Sequence, residues 1–136
     1  MRWMFTPFLR TFDFSGRSRR LEFWMFFLLT FVALAGCVFW AMQIFIKIGR
    51  EGDTGQAVSV AAAYLDAPMA ALGIFLLVTF IPTIAVQVRR FHDQNLTGAL
   101  VLLNLIPSIG GLIVLVFMCL PGTPGDNRYG PDPRAA

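Results

Sequence analysis

Residues 23–46 read FWMFFLLTFVALAGCVFWAMQIFI, 24 residues without a charge. As a helix rising about 1.5 Å per residue, this run is roughly 36 Å long, enough to cross a hydrocarbon core of about 30 Å. Two further uncharged runs, Ala67 to Val88 and Ala99 to Leu120, are about 33 Å long on the same arithmetic. None of the three shows the alternation of a barrel strand, and each is longer than the roughly ten residues such a strand uses. Backbone polar groups in lipid must therefore be satisfied within helices. The reading is an all-α, polytopic membrane protein with three predicted transmembrane helices at 23–46, 67–88 and 99–120.

Composition agrees. The chain of 136 residues has room for one integral membrane domain, and 57% hydrophobic against 14% charged residues is too apolar for a water-soluble domain of this size. The first run also has a form like an export signal, with Ala33-Leu34-Ala35 before Gly36. It continues through Val38, Phe39, Trp40 and Ile44 to Ile46 where a cleaved signal gives way to polar sequence, so anchoring is the better reading.

Charge placement sets the orientation. Arg2, Arg10, Arg17, Arg19 and Arg20 precede the first run, and Arg89 and Arg90 follow the second. With three spans these seven basic residues share one side, against four on the other, which places the amino terminus in the cytoplasm. Within residues 1–22, Trp3, Phe5, Phe8, Phe12 and Phe14 mix with Arg2 and Arg10, as expected of an interfacial helix or turn at headgroup level. Ser15-Gly16 reads as a turn and Ser18 as the N-cap of the first helix.

Gly49, Gly52, Asp53 and Gly55 mark a loop after the first span. Ala57 to Leu65 reads as an interfacial helix before Asp66 caps the second span, with Pro68 in its first turn, or as an extension of that span. Pro82 is expected to kink the second helix. At the centre of the third run stands Pro107-Ser108-Ile109-Gly110-Gly111. A straight but kinked span is the expectation; the alternative is a broken, re-entrant hairpin of two half-length helices that returns the tail to the cytoplasmic side. Residues 121–136 are too rich in Pro and Gly for a helix and read as turns at the membrane surface.

Three polar stretches frame these runs: Phe14-Ser15-Gly16-Arg17-Ser18-Arg19-Arg20-Leu21-Glu22-Phe23-Trp24, then Val88-Arg89-Arg90-Phe91-His92-Asp93, then Pro121-Gly122-Thr123-Pro124-Gly125-Asp126-Asn127-Arg128-Tyr129-Gly130-Pro131-Asp132-Pro133. In this order they resemble the bacterial family called domain of unknown function 805. Where relatives commonly carry a tryptophan pair after the second motif, this chain has Ala99-Leu100. The resemblance implies a small integral protein of the bacterial inner membrane and supplies no reaction.

The candidate interfacial residues are Arg17, Arg19, Arg20, Glu22, Arg89, Arg90, His92, Asp93, Asn127 and Arg128. Two arrangements of the charges are open. In one, the amino-terminal patch pairs with Arg89, Arg90 and Asp93, because Glu22 near hydrocarbon is costly without an arginine. In the other, the arginines form a solvated collar on anionic headgroups, each contributing about 1 kcal/mol. His92 beside Asp93 has the composition of a proton-transfer pair, but no nucleophile or second base stands at recognisable spacing, and basic residues at this helix end also complement its dipole. One His and two Cys fall short of a zinc ligand set. Cys37 and Cys119 are read as small apolar residues rather than a disulfide.

No cofactor is implied, and nucleic acid is a poor partner for arginines that flank membrane runs. The leading expectation is a noncatalytic component that contacts membrane lipids, through anionic headgroups, or membrane-protein partners. The alternative is a homo-oligomeric transporter or channel with Pro82, Pro107 and Gly110-Gly111 as hinges, and the third an enzyme centred on His92 and Asp93.

Overall fold

The computed structural model describes residues 2–51 and 57–134, with side chains other than those of 2–4, 48, 51 and 57–65. The elements in order are α1 (Arg2–Leu9), α2 (Arg20–Glu51), α3 (Ala57–Asp93), a 3-10 helix η1 (Gly98–Leu105) and α4 (Gly110–Cys119). Contacts group Met1–Leu28 with Phe80–Ala136 in one compact unit and Leu29–Thr79 in another.

α2 and α3 each contain a 28-residue apolar stretch, Arg20–Lys47 and Asp66–Asp93, about 42 Å long as a helix. Both exceed what a bilayer requires. In the Leu29–Thr79 unit, large apolar side chains stand exposed along both helices, including Phe39 at 65% and Leu77 at 77%. A continuous apolar exterior of this kind is stable against lipid and costly against water.

Three expected boundaries move. α2 runs through Gly49, while Gly52, Asp53 and Gly55 of the expected loop lie outside the described residues. α3 is unbroken from Ala57, so Asp66 is an exposed residue within the helix rather than its cap, and Pro68 sits in the interior rather than the first turn. The Ala-rich stretch before Asp66 extends a helix at little cost, and the extension alternative is the one that folds. Ser18 does not cap α2, which begins at Arg20. Its backbone N–H instead donates to the Arg89 carbonyl at 3.2 Å, and its buried hydroxyl has no partner among the described residues. Residues 17–19 are drawn onto the end of α3, which delays the helix.

The other compact unit is built around Phe23 and Phe26 of α2, Val86 and Phe91 of α3, and Val114 and Met118 of α4. Phe8 of α1 meets Phe26 edge-to-face, with ring centroids 5.2 Å apart, and this contact ties the short α1 to the core. Phe5, Leu9 and Phe12 face outward.

α3 ends in a Schellman motif. The Leu96 N–H returns to Phe91 O and the Asn95 N–H to His92 O, both at 3.0 Å, with Asn95 left-handed at φ 58° and Leu96 packed on the core. The chain therefore reverses at once.

The third apolar run does not form the straight helix expected over 99–120. It breaks into η1 and α4, about 16 and 15 Å long. At the break, Ile109 N donates to Pro107 O at 2.8 Å around Ser108, whose φ of 67° makes a γ-turn. The physical cause is local: Pro107 cannot donate, and Gly110 lets the returning chain press on the outgoing one. A Cβ on Gly110 would stand 1.7 Å from the Leu103 carbonyl oxygen. Both ends of the hairpin meet the end of α3: Gly98 lies against Val88 and His92, and Gln94 Nε2 donates to Phe117 O. Midway, Asn104 Nδ2 donates to Gln87 Oε1 at 2.7 Å, tying η1 to α3 within the apolar layer.

Candidate functional site

The return of the third segment brings all three polar stretches together. Asp93, at the last turn of α3, accepts from Arg17 Nε at 3.0 Å through one carboxylate oxygen and from Arg90 Nη1 through the other. Arg17 also donates from Nη2 to Thr123 O at 2.6 Å and from Nη1 to Gly125 O. Arg90 donates from Nη2 to Leu120 O. One carboxylate and two guanidinium groups thus clamp the amino-terminal segment, α3 and the tail. The tail is seated by backbone as well, since Thr123 N donates to Asp93 O at 2.8 Å.

A second pair lies beside it. Arg89 Nη2 donates to Glu22 Oε1 at 3.2 Å, and its Nη1 donates to the carbonyls of Arg10 at 2.9 Å and Asp13 at 2.7 Å. The paired alternative for the charges, rather than the solvated collar, describes these residues. Arg17, Arg89 and Arg90 are each at most 5% exposed, as are Glu22 and Asp93. Three cations against two carboxylates leave one positive charge in excess. Six backbone carbonyls, those of Arg10, Asp13, Leu120, Thr123, Gly125 and Gly130, take up guanidinium donors and offset it with their dipoles.

The His92–Asp93 proton-transfer pair does not form. Adjacent helical residues point in different directions. Asp93 is committed to Arg17 and Arg90, while His92 Nδ1 lies 3.2 Å from Gly16 O and its ring stacks on Tyr129, with centroids 3.8 Å apart. His92 is a platform for the tail. Asn127 Nδ2 donates to His92 O at 2.9 Å, Arg128 Nη2 donates to Asn95 O at 3.0 Å, and the Arg128 guanidinium lies over Tyr129. Arg20 is on the rim, exposed, with Nε donating to Leu120 O at 2.9 Å; Arg19 is half-buried. Among the described residues no three of His, Cys, Asp and Glu converge as metal ligands, and Cys37 and Cys119 are free thiols.

Sequence reasoning did not single out Gly122, Thr123 or Tyr129. A Cβ on Gly122 would stand 1.8 Å from Asp93 Oδ2, so only glycine lets the tail reach the clamp. The Pro-Gly spacing was the available signal, but it also describes any surface turn. The tail closes as Asn127 and Gly130 exchange backbone hydrogen bonds at 3.1 and 3.0 Å. Asp132 accepts from Arg134, first through the backbone N–H and then the guanidinium, which holds its carboxyl down at about 2.

A family model described as "Protein of unknown function (DUF805)" matches residues 11–131. The chain is 37% identical over 134 residues to "Inner membrane protein YhaI" of Escherichia coli K12, covering 98% of this chain and 97% of that protein. It is 36% identical over 134 residues to "Inner membrane protein YhaH" of the same strain, covering 98% of each. No solved structure matches it. With the motifs, the two long apolar helices and near full-length coverage in agreement, the chain belongs to the DUF805 family of multi-pass inner-membrane proteins.

Proposed function

We propose that the chain is a noncatalytic inner-membrane component with two spans and a re-entrant third segment, whose clamped polar cap faces the cytoplasm and engages anionic headgroups or membrane-protein partners. The observation that carries this reading is the position of the hairpin: both of its ends lie at the end of α3, so the amino-terminal segment and the tail share one face. A re-entrant segment needs protein cover for its irregular backbone. α2 and α3 supply core residues around α4, and the Asn104–Gln87 bond meets polar groups within the apolar layer.

Charge supports the orientation. With the tail returned, Arg2, Arg10, Arg17, Arg19, Arg20, Arg89, Arg90, Arg128 and Arg134 stand on one side, nine basic residues against Lys47 and Arg50 on the other. A straight third span divides them seven to four, so the hairpin strengthens the positive-inside bias. The noncatalytic reading rests on the use of the polar side chains: Arg17, Arg89, Arg90, Glu22 and Asp93 are spent on one another and on backbone.

Reporter fusions test the reading. A fluorescent protein that matures only in the cytoplasm, joined after residue 136, is expected to fluoresce, and alkaline phosphatase at the same junction to be inactive. The reverse pattern would refute the hairpin topology.

A further inference from the structure

A cleft of about 360 Å³ opens between the first turn of α2 and the tail, lined by Arg19, Arg20 and Arg134 with Leu21, Asp93 and Gly122. Its volume is at the lower end of small-ligand sites, enough for one headgroup-sized group. The charge on its walls is lopsided. Asp93 is its acidic residue, and that carboxylate is already held by Arg17 and Arg90. Arg134 pairs with Asp132 through Nε. Arg20 is anchored through Nε to Leu120 O, and among the described residues its two terminal nitrogens have no partner. An arginine fixed at its stem with a free fork is set to bind an oxyanion at low entropic cost.

Around the cleft and the clamp, Arg17, Arg20, Arg90 and Arg134 stand against Asp93 and Asp132, four against two. The positive end of the 32-residue α2 points the same way, and Leu21 of its first turn lines the cleft. A carboxylate would occupy one fork. Arginines arriving from the start of α2 and from the tail suit the several oxygens of a phosphate.

We propose that this cleft binds a phosphate group, with Arg20 as its principal bidentate contact and Arg19 and Arg134 as flanking charges. The group is either the headgroup phosphate of an anionic phospholipid or a soluble phosphate. Only Leu21 and Glu22 separate Arg20 from the start of the apolar run at Phe23, which places the cleft at headgroup level, a placement that rests on the topology proposed above. The charge of the cleft does not depend on that topology.

The test is native mass spectrometry of the full chain, stripped of lipid in detergent and titrated with phosphatidylglycerol, phosphatidylcholine or inorganic phosphate. A one-to-one adduct with phosphatidylglycerol, roughly tenfold tighter than with phosphatidylcholine, identifies the lipid source; saturable binding of inorganic phosphate that displaces the lipid identifies the soluble one. In either case Arg20→Gln and, separately, Arg134→Gln are expected to weaken binding by about tenfold, and Arg20→Lys by less, because it keeps the charge and loses the fork. Arg128→Gln, on the same face and outside the cleft, is expected to change it less than about twofold. Thermal unfolding of each variant in the same detergent separates a loss of binding from misfolding.

Equal binding of both lipids with no saturable phosphate overturns the site. So does an Arg128→Gln effect as large as that of Arg20→Gln, which indicates a diffuse basic surface and leaves the cap's attraction to anionic headgroups standing. If the fusions place the tail outside while Arg20 still governs binding, the topology falls and the cleft remains.

Discussion

Replacing Asp93 by Asn keeps the shape of the side chain and removes the charge that Arg17 and Arg90 share. At the 3.0 Å separation of Arg17 and Asp93 and an effective dielectric of about 20, the attraction lost is roughly 5 kcal/mol for that pair. Desolvation of the carboxylate is recovered in part, and carbonyls still hold both arginines. Breaking a buried pair from one side costs about 3–5 kcal/mol, because the remaining charges are left buried without an anion. Asp93→Asn is therefore expected to destabilise the folded chain by about that amount, with three buried arginines facing Glu22 alone. Equilibrium unfolding in mixed micelles measures it. Adding Arg17→Gln separates the clamp from general loss: this change should cost much less in the Asp93→Asn background than in the parent. A variant as stable as the parent, or additive losses in the double variant, would refute the clamp.

Three further outcomes follow from the same geometry. Gly122→Ala places a methyl 1.8 Å from Oδ2 of the Asp93 carboxylate, whose two oxygens Arg90 and Arg17 hold fast, so the tail should lift away, with faster proteolysis of residues 121–134 and a loss of about 1–3 kcal/mol. Gly110→Ala meets the Leu103 carbonyl at 1.7 Å, which no rotamer change relieves; a similar or larger loss is expected in equilibrium unfolding in mixed micelles. The Asp132 carboxyl, held at about 2 by the Arg134 N–H and guanidinium against an ordinary 3.8, contributes tail anchoring that is complete above 3.8 and is lost as pH falls through about 2. NMR titration of that carboxyl with a midpoint near 3.8 would remove the contact.

Membrane residence was legible because it depends on uninterrupted apolar length, a property of the sequence alone, as in residues 23–46. The Arg-rich motifs were legible as a set, and Glu22 beside hydrocarbon correctly demanded an arginine. Which arginine it met was not, since Arg89 and Arg90 are adjacent and the helical phase that sends one to Glu22 and the other to Asp93 depends on where α3 stops. The Schellman turn at Asn95 fixes that stop. The fate of the third run depends on tertiary contact: Pro107 and Gly110 are compatible with a kink, and the broken form wins where η1 finds Gln87 and the tail finds Asp93. His92–Asp93 misled because sequence adjacency on a helix separates side chains rather than joining them. Ser18 failed as a cap because the end of α3 competes for its backbone.

The central claim is that the amino-terminal segment and the tail share the cytoplasmic face while the chain between α2 and α3 lies outside. Single cysteines at Asp53, Ser15 and Pro124, introduced as Asp53→Cys, Ser15→Cys and Pro124→Cys with Cys37 and Cys119 changed to Ser, report this directly with a membrane-impermeant thiol reagent on intact cells permeabilised only at the outer membrane. The account predicts labelling at position 53 from outside, and at positions 15 and 124 only after the inner membrane is opened. Labelling of position 124 from outside together with position 53 would contradict it.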